Sequence, residues 1–345
     1  MVIEVEFQQM PAYQAFLDAL PSTPITQSTR WPRVKARKGW QEVRFAALHD
    51  DAGETGAPQA ELQAPHIAAV GQMLFVKDTD TGRYFCYLPR GPVTAGDPTQ
   101  QAAAIREVVA AAYEYARSLD ASCLLVDPPW EYSPENLALL QELAQAHPNG
   151  RVVTSPTAVR GQPPLNMILD LAAYADYDAW MAALNKKHRY SIRRAETNGA
   201  RGRFSRDRSL VEPLYDLITK VAACKEISHR PKQYFYDLFD AFDGAFFTVG
   251  LIEDQLTSVS LNVAYGDTIY NLYAGNDVSL PKSGTPTLMN AAIVEEAFNR
   301  QVRYVDFGGV FAPDSSDSLY VFKRHFMPKD QTVTRYVGEV IYEID

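Results

Sequence analysis

Gln162-Pro163-Pro164 divides this 345-residue chain into two halves, and both halves mix short apolar runs with helical periodicity. Proline has no N–H and restrains the residue before it, so a proline pair resists both helix and sheet ladder. A chain that interleaves strands and helices on both sides of such a break builds mixed layers twice. The expectation is an α/β fold with α+β mixed sheets, in two domains: residues 1–163 and 164–334.

In the first half, residues 8–20, 98–118 and 134–146 carry helical spacing. Ala104, Ile105, Val108, Val109, Ala112 and Tyr113 form the apolar face of the second of these. Residues 66–76 and 82–88 predict strands around the turn Asp78-Thr79-Asp80-Thr81-Gly82, and Cys123-Leu124-Leu125-Val126 predicts a short buried one. In the second half, helices are expected at 174–197, 208–224, 231–242 and 284–300. Strands are expected at 166–171, 245–252, 256–264, 268–274 and 302–307. The segment from Tyr336 to Tyr342 alternates as a strand does and fits either half.

The N-terminal residues carry acids where a signal peptide would carry bases, and no apolar run is long enough to span a membrane. Cys86, Cys123 and Cys224 are few and widely spaced, as free thiols of a reducing compartment would be. A cytoplasmic protein with no integral membrane segment is expected. The net charge of −9 argues against a protein that coats nucleic acid, but the charge is uneven. Between residues 186 and 208, nine basic residues (Lys186, Lys187, Arg189, Arg193, Arg194, Arg201, Arg203, Arg206 and Arg208) meet two acids, Glu196 and Asp207. The stretch fits a polyanion site or a solvated helix followed by an exposed strand.

Several motif-like strings carry no chemistry. Asp306-Phe307-Gly308 matches a kinase metal motif, but His229-Arg230 is followed by Pro231 and there is no Gly-rich phosphate loop. The six histidines lack metal-ligand spacing, so no metal is expected. Four features remain. Gly308-Gly309 ends an apolar strand and precedes a helix on which Leu319, Phe322 and Phe326 share a seam; Lys323 is displaced from it, as a surface lysine or as a fixed charge in a cleft. Pro231 can start a helix, placing Arg230 just before its N-terminus and Tyr234 within reach of the same anion; Arg230 would grip a phosphate or close a helix-cap ion pair. Tyr270 and Tyr273, three apart on one strand, are expected on opposite faces. Lys35 follows Trp31 and Val34 in a short helical signal and by itself reads as a surface lysine.

These strings, in this order, resemble the FemABX family of aminoacyl-tRNA-dependent peptidoglycan peptidyl transferases, most of all its compact FemX type. The resemblance runs through Thr26-Gln27 to Lys35, Gly91-Pro92-Val93, Leu165-Asn166-Met167 to Leu171, and Ile227 to Tyr234. It continues through Tyr273-Ala274-Gly275, Gly308-Gly309, Asp317 to Lys323, and Tyr336-Val337-Gly338-Glu339. It implies two GNAT-like domains, with residues 335–345 returning to the first. It further implies that the first domain binds precursor and the second serves aminoacyl transfer. By position, Lys35 and Arg230 match the residues that hold the diphosphate of UDP-MurNAc-pentapeptide, with Tyr234 and Tyr273 lining the site. Lys323 matches the lysine near the aminoacyl ester, and with Tyr273 it forms the expected catalytic set. No cofactor and no covalent enzyme intermediate are implied. The reaction implied is transfer of Ala, Ser or Gly from aminoacyl-tRNA to the side-chain amine of the third stem residue.

Larger members carry a coiled-coil insertion for which this chain has no room. The tRNA must then meet the folded surface, with Lys186, Lys187, Arg189, Arg193 and Arg194 as the expected contacts. A lipid-linked precursor is the alternative acceptor, and a monomer is expected. Two rival readings stay open. One is a CoA-dependent N-acyltransferase of the same fold, with Pro281-Lys282-Ser283-Gly284-Thr285 near a pyrophosphate. The other is a non-catalytic binding module.

Overall fold

A computed structural model describes residues 1–49, 62–280 and 283–345. The chain forms two compact units, Met1–Leu165 with Arg335–Asp345, and Asn166–Thr334. The break falls two residues beyond the proline pair.

Unit 1 runs β1 (Val2–Glu4), α1 (Met10–Ala19), α2 (Trp31–Ala36), β2 (Gln41–Leu48), β3 (Ile67–Lys77), β4 (Tyr84–Pro89) and β5 (Val93–Thr94). It continues with α3 (Ala102–Ser118), β6 (Ala121–Asp127), α4 (Pro134–Gln145) and β7 (Gly150–Val153). Its sheet has the order β1-β2-β3-β4-β6-β15-β7, with β5 paired to β3. Strand β15 (Glu339–Glu343), the last of the chain, lies antiparallel between β6 and β7. β4 and β6 are parallel and joined through α3, the crossover that a parallel pair requires. The apolar face of α3 (Ile105, Val108, Val109, Ala112 and Ala116) packs into a core with Phe45, Met73, Leu88, Leu124 and Tyr342. Gly71 lets α3 approach, since a methyl carbon there would stand 2.7 Å from Val108 Cγ1. Strands β1, β2 and β7 are additional to those legible from periodicity. β2 begins Gln41-Glu42 and carries Arg44, which dilutes its apolar signal.

Unit 2 contains β8 (Leu165–Asp170), α5 (Tyr177–Ala183), α6 (Lys186–Thr197), β9 (Ala200–Ser205), α7 (Val211–Lys225), α8 (Lys232–Ala241), β10 (Ala245–Ile252), β11 (Gln255–Tyr265) and β12 (Thr268–Asn276). Then come α9 (Thr285–Arg300), β13 (Tyr304–Gly309), α10 (Ser318–Lys323), a 3-10 turn at Arg324–Phe326, and β14 (Thr334–Arg335). The sheet order is β14-β8-β13-β12-β11-β10-β9. α9 packs on β9, β10 and β11, and α7 packs on β11 and β12.

The helix expected over 174–197 is two helices. The Asp176 carboxylate accepts from Ala179 N at the start of α5, and the Asn185 amide oxygen accepts from Lys187 N at the start of α6. A side chain that caps a helix competes with helical continuation, so Asn185 breaks the run despite its unbroken spacing. Tyr270 and Tyr273 share a face rather than facing apart. The pairing of β12 with β11 skips Leu272, leaving Tyr270 opposite Val263 and Tyr273 opposite Leu261. One extra residue in a strand restores the parity that a three-residue spacing would lose.

Candidate active site

Strands β12 and β13 are parallel but pair only from Thr268/Tyr304 to Tyr270/Asp306. Beyond that point both continue without pairing to each other, so the sheet opens into a fork. On the outer side of β13 the register with β8 slips between Asp306 and Gly309. Gly308 sits in this slip with φ +82, a backbone state that strains any residue with a Cβ. A methyl carbon at Gly308 would lie 3.5 Å from Lys323 Nζ and 3.8 Å from the Asn271 carbonyl oxygen of β12. Lys323 therefore reaches the fork, where its ammonium donates to the Gly309 carbonyl at 2.7 Å.

Burial brings the Lys323 pKa down to about 8, against the pull of the Asp306 and Asp317 carboxylates. Each carboxylate is itself fixed. Asp306 accepts from Gly308 N at 2.7 Å and from the Asn166 amide at 3.2 Å. Asp317 accepts from Leu319 N at 2.8 Å, capping α10, and from Phe311 N at 2.7 Å, pinning the loop that leaves the fork. Its pKa is lowered: burial works the other way, and four backbone N–H donors outweigh it. The expected apolar seam is partial, because Phe326 is buried while Leu319 is exposed.

Tyr273, on the β12 side, donates its hydroxyl to that of Tyr234 on α8 at 3.3 Å, and the two rings meet edge to face. Burial, reinforced by Tyr273, raises the Tyr234 pKa well above the phenolic range, so it stays a neutral acceptor. The Arg230 guanidinium stands 5.5 Å from the Tyr234 ring centroid. Arg230 is exposed, and among the described residues no carboxylate forms a salt bridge with it. The helix-cap ion pair weighed for it is absent there; Lys232 instead pairs with Glu212.

Lys35 belongs to unit 1, on α2, with Nζ 5.4 Å from the Trp31 ring centroid. The segment before α2 is anchored through buried amides. Gln27 donates to the Pro89 carbonyl at 2.6 Å and accepts from Gln72 N at 2.8 Å, while Gln72 Nε2 donates to the Thr26 and Ser28 carbonyls. Gly91 leaves room for this, since a methyl carbon there would stand 2.7 Å from Gln27 Nε2. The Thr26-Gln27 and Gly91-Pro92 strings thus form one support for the Lys35 helix. Two buried carboxylates clamp the loop before the unit boundary. Asp127 accepts from Arg90 N, Gln162 N and the Tyr87 hydroxyl, and Glu339 accepts from Arg160 N and Gly161 N.

Of the basic stretch, Lys186, Lys187, Arg193 and Arg194 are exposed on α6, and Arg201 and Arg203 are exposed on β9. Arg189 turns back to the Ala182 and Leu184 carbonyls at the end of α5. Arg206 donates to the Asp243 carbonyl, and Arg208 grips Asp240 with two hydrogen bonds. Of the acyl-CoA candidate, Pro281 and Lys282 lie outside the described residues. The start of α9 is covered: a methyl carbon on Gly284, the residue before that helix, would stand 2.6 Å from Ala195 Cβ of α6. Thr285 is buried and hydrogen-bonded to Thr257 and Ser283.

No helix among the described residues is long and apolar enough to cross a membrane. The chain is 28% identical over 342 residues to the UDP-N-acetylmuramoylpentapeptide-lysine N(6)-alanyltransferase of Weissella viridescens, covering 98% of this chain and 94% of that protein. A crystal structure of FemX superposes with a TM-score of 0.78 at 18% identity, over 100% of this chain and 97% of that one. A tandem GNAT protein from the clavulanic acid biosynthesis pathway superposes with a TM-score of 0.57 at 11% identity, over 99% and 98%. These likenesses establish two GNAT-like units of mixed α/β build. The FemAB family model matches residues 9–255 and 251–345, and the chain belongs to the FemAB family.

Proposed function

We propose that this protein is an aminoacyltransferase that moves an amino acid from aminoacyl-tRNA to the side-chain amine of the third residue of UDP-MurNAc-pentapeptide, starting a peptidoglycan cross-bridge. The observation that carries the reading is the largely desolvated Lys323 ammonium at the Gly309 carbonyl, in the open fork of β12 and β13. An aminoacyl ester is already activated, so the enzyme's main task is to bring amine and ester together. The amine nitrogen attacks the ester carbonyl, a C–N bond forms, and negative charge develops on the carbonyl oxygen. Lys323 neutralises that charge as the tetrahedral intermediate forms. The ester C–O bond then breaks and the ribose hydroxyl leaves with a proton. A lysine with a pKa near 8 gives up that proton more readily than an ordinary one. Having given its proton to the leaving oxygen, Lys323 is a free amine that takes up the proton the attacking nitrogen loses, with the Tyr273 hydroxyl as relay.

In this reading Lys35, Arg230 and Tyr234 serve precursor binding. The exposed bases of α6 meet the tRNA, and the enzyme works as a monomer. The amino acid is Ala, Ser or Gly, and the soluble UDP-linked precursor is preferred to a lipid-linked one. Purified protein, charged tRNA and UDP-MurNAc-pentapeptide should yield a product heavier by one amino-acid residue. Absence of product with alanyl-, seryl- and glycyl-tRNA would sink the reading. The CoA-dependent alternative is disfavoured by the cover of Ala195 over Gly284, because a pyrophosphate at the start of α9 needs that space. Acetyl-CoA should therefore leave the melting temperature unchanged, whereas UDP-MurNAc-pentapeptide should raise it.

A further inference from the structure

His188 and His325 are 137 positions apart in the chain, yet their rings meet edge to face with centroids 4.4 Å apart. His188 lies on the first turn of α6, beside exposed Lys187. His325 lies on the turn that continues α10, two residues after Lys323 and next to Arg324. The turn is held rigidly: the Trp180 indole of α5 donates to the Phe326 carbonyl at 3.2 Å, and Arg324 donates to the Met327 and Pro328 carbonyls. His325 Nδ1 lies 3.1 Å from the Phe322 carbonyl, which assigns the proton to that nitrogen. His188 Nδ1 is buried and has no hydrogen-bond partner among the described residues.

The charges around this pair are all of one sign. Burial brings the His188 pKa down to about 4, and His325, Arg324 and Lys187 press it the same way. Burial lowers that of His325 too, with Lys187 adding to it and its bond to Phe322 opposing. Among the described residues no carboxylate acts on either ring. Four basic groups from two elements therefore converge without a counter-charge, in a chain whose net charge is −9. Such a concentration of positive potential attracts an anion. The exposed Lys186, Arg193, Arg194, Arg201 and Arg203 extend the positive charge over α6 and β9, which suits a polymer of phosphates better than a single diphosphate.

We infer that Lys187, His188, Arg324 and His325 form a phosphate subsite that seats a backbone phosphate of the donor RNA near its aminoacylated end. The inference rests on the aminoacyl-tRNA reading above and gives that donor a contact on the turn that continues α10, two residues past Lys323 in the chain. Arg324, already engaged with backbone carbonyls, supplies fixed charge, while Lys187 and the rings supply donors. A bound phosphate favours the protonated rings, so binding takes up protons and tightens as pH falls from 7.5 to 5.5.

The probe is an uncharged RNA hairpin with a single-stranded 3′ end, titrated by fluorescence anisotropy over a range of salt and pH. Lys187→Gln and His325→Gln should each weaken RNA binding about 5- to 30-fold and lower the slope of log affinity against log salt by about 0.7 to 0.9. His325→Gln should also flatten the pH dependence. Binding of UDP-MurNAc-pentapeptide should be unchanged in both, as should RNA binding in Lys77→Gln, a unit 1 control. Lys187 is exposed, so its variant tests the subsite even where a histidine variant loses structure. RNA affinity and salt slope equal to wild type in Lys187→Gln would overturn the subsite. If the wild type transfers amino acid but these variants keep its RNA KM, only the subsite falls. If the wild type binds no RNA, the transferase reading falls with it.

Discussion

Replacing Lys323 by methionine should slow transfer by about two to three orders of magnitude without destabilising the second unit at pH 7. A fall in the Lys323 pKa from its ordinary 10.5 to about 8 corresponds to about 3 kcal/mol of cost for holding the charged form in the folded state. That cost is fully present below pH 8, where the ammonium is charged in both states. It fades as pH rises from about 8 toward 10.5, because there the unfolded chain binds more protons than the folded one. Methionine keeps the volume and removes the charge, but loses the charged donor's hydrogen bond to the Gly309 carbonyl, worth about 1.5–3 kcal/mol. The net change at pH 7 should be a gain of about 0–2 kcal/mol, which shrinks above pH 8 and reverses to a loss before pH 10.5, where only the missing hydrogen bond remains. Urea denaturation can measure this through Trp180, which is wholly buried and bonded to the Phe326 carbonyl beside α10. Changing Trp31, Trp40 and Trp130 to phenylalanine leaves Trp180 as the only tryptophan, a reporter of the second unit alone. In parallel, kcat should fall about 10²- to 10³-fold, the usual consequence of losing an oxyanion donor. A variant less stable than wild type at pH 7, or a stability difference that does not change between pH 7 and 10.5, would refute the reasoning.

Tyr273→Phe should lower kcat about 10²-fold with little change in KM, as loss of a proton relay does; a drop below threefold would remove Tyr273 from the chemistry. Lys35→Ala and Arg230→Ala should each raise the KM for UDP-MurNAc-pentapeptide by about tenfold or more, with kcat nearly kept, and equal losses in both parameters would argue against a binding role. Gly308→Ala should cost about 1–3 kcal/mol in denaturant titrations, because alanine is strained at φ +82, and an unchanged midpoint would exclude the strain. Asp127→Ala should destabilise unit 1 by several kcal/mol by orphaning the Arg90 and Gln162 N–H groups; an unaltered denaturant midpoint would exclude the clamp.

Local pattern carried most of the elements. Apolar periodicity marks α3, α9, β10 and β11 because each buries one face or one whole run, and burial is what periodicity records. Proline and glycine marked the unit break and the end of β13, since their backbone constraints act within a residue or two. The order of weak strings along the chain identified the family and drew attention to Lys35, Arg230, Tyr234, Tyr273 and Lys323. The break at Asn185 lay within reach of the same reasoning, because Asn is a capping residue, but unbroken helical spacing on both sides masked it.

Other features exist only once distant segments meet. The skipped Leu272 that brings Tyr270 and Tyr273 to one face is a matter of register with β11, which a single strand cannot encode. The lowered Lys323 pKa depends on burial and on Asp306 and Asp317, and the pairing of His188 with His325 spans 137 positions. The cover of Ala195 over the start of α9 depends on how α6 packs. Local sequence sets backbone preference and the identity of each functional group. Desolvation, strand register and the convergence of like charges are properties of three-dimensional neighbours, and only tertiary packing decides those.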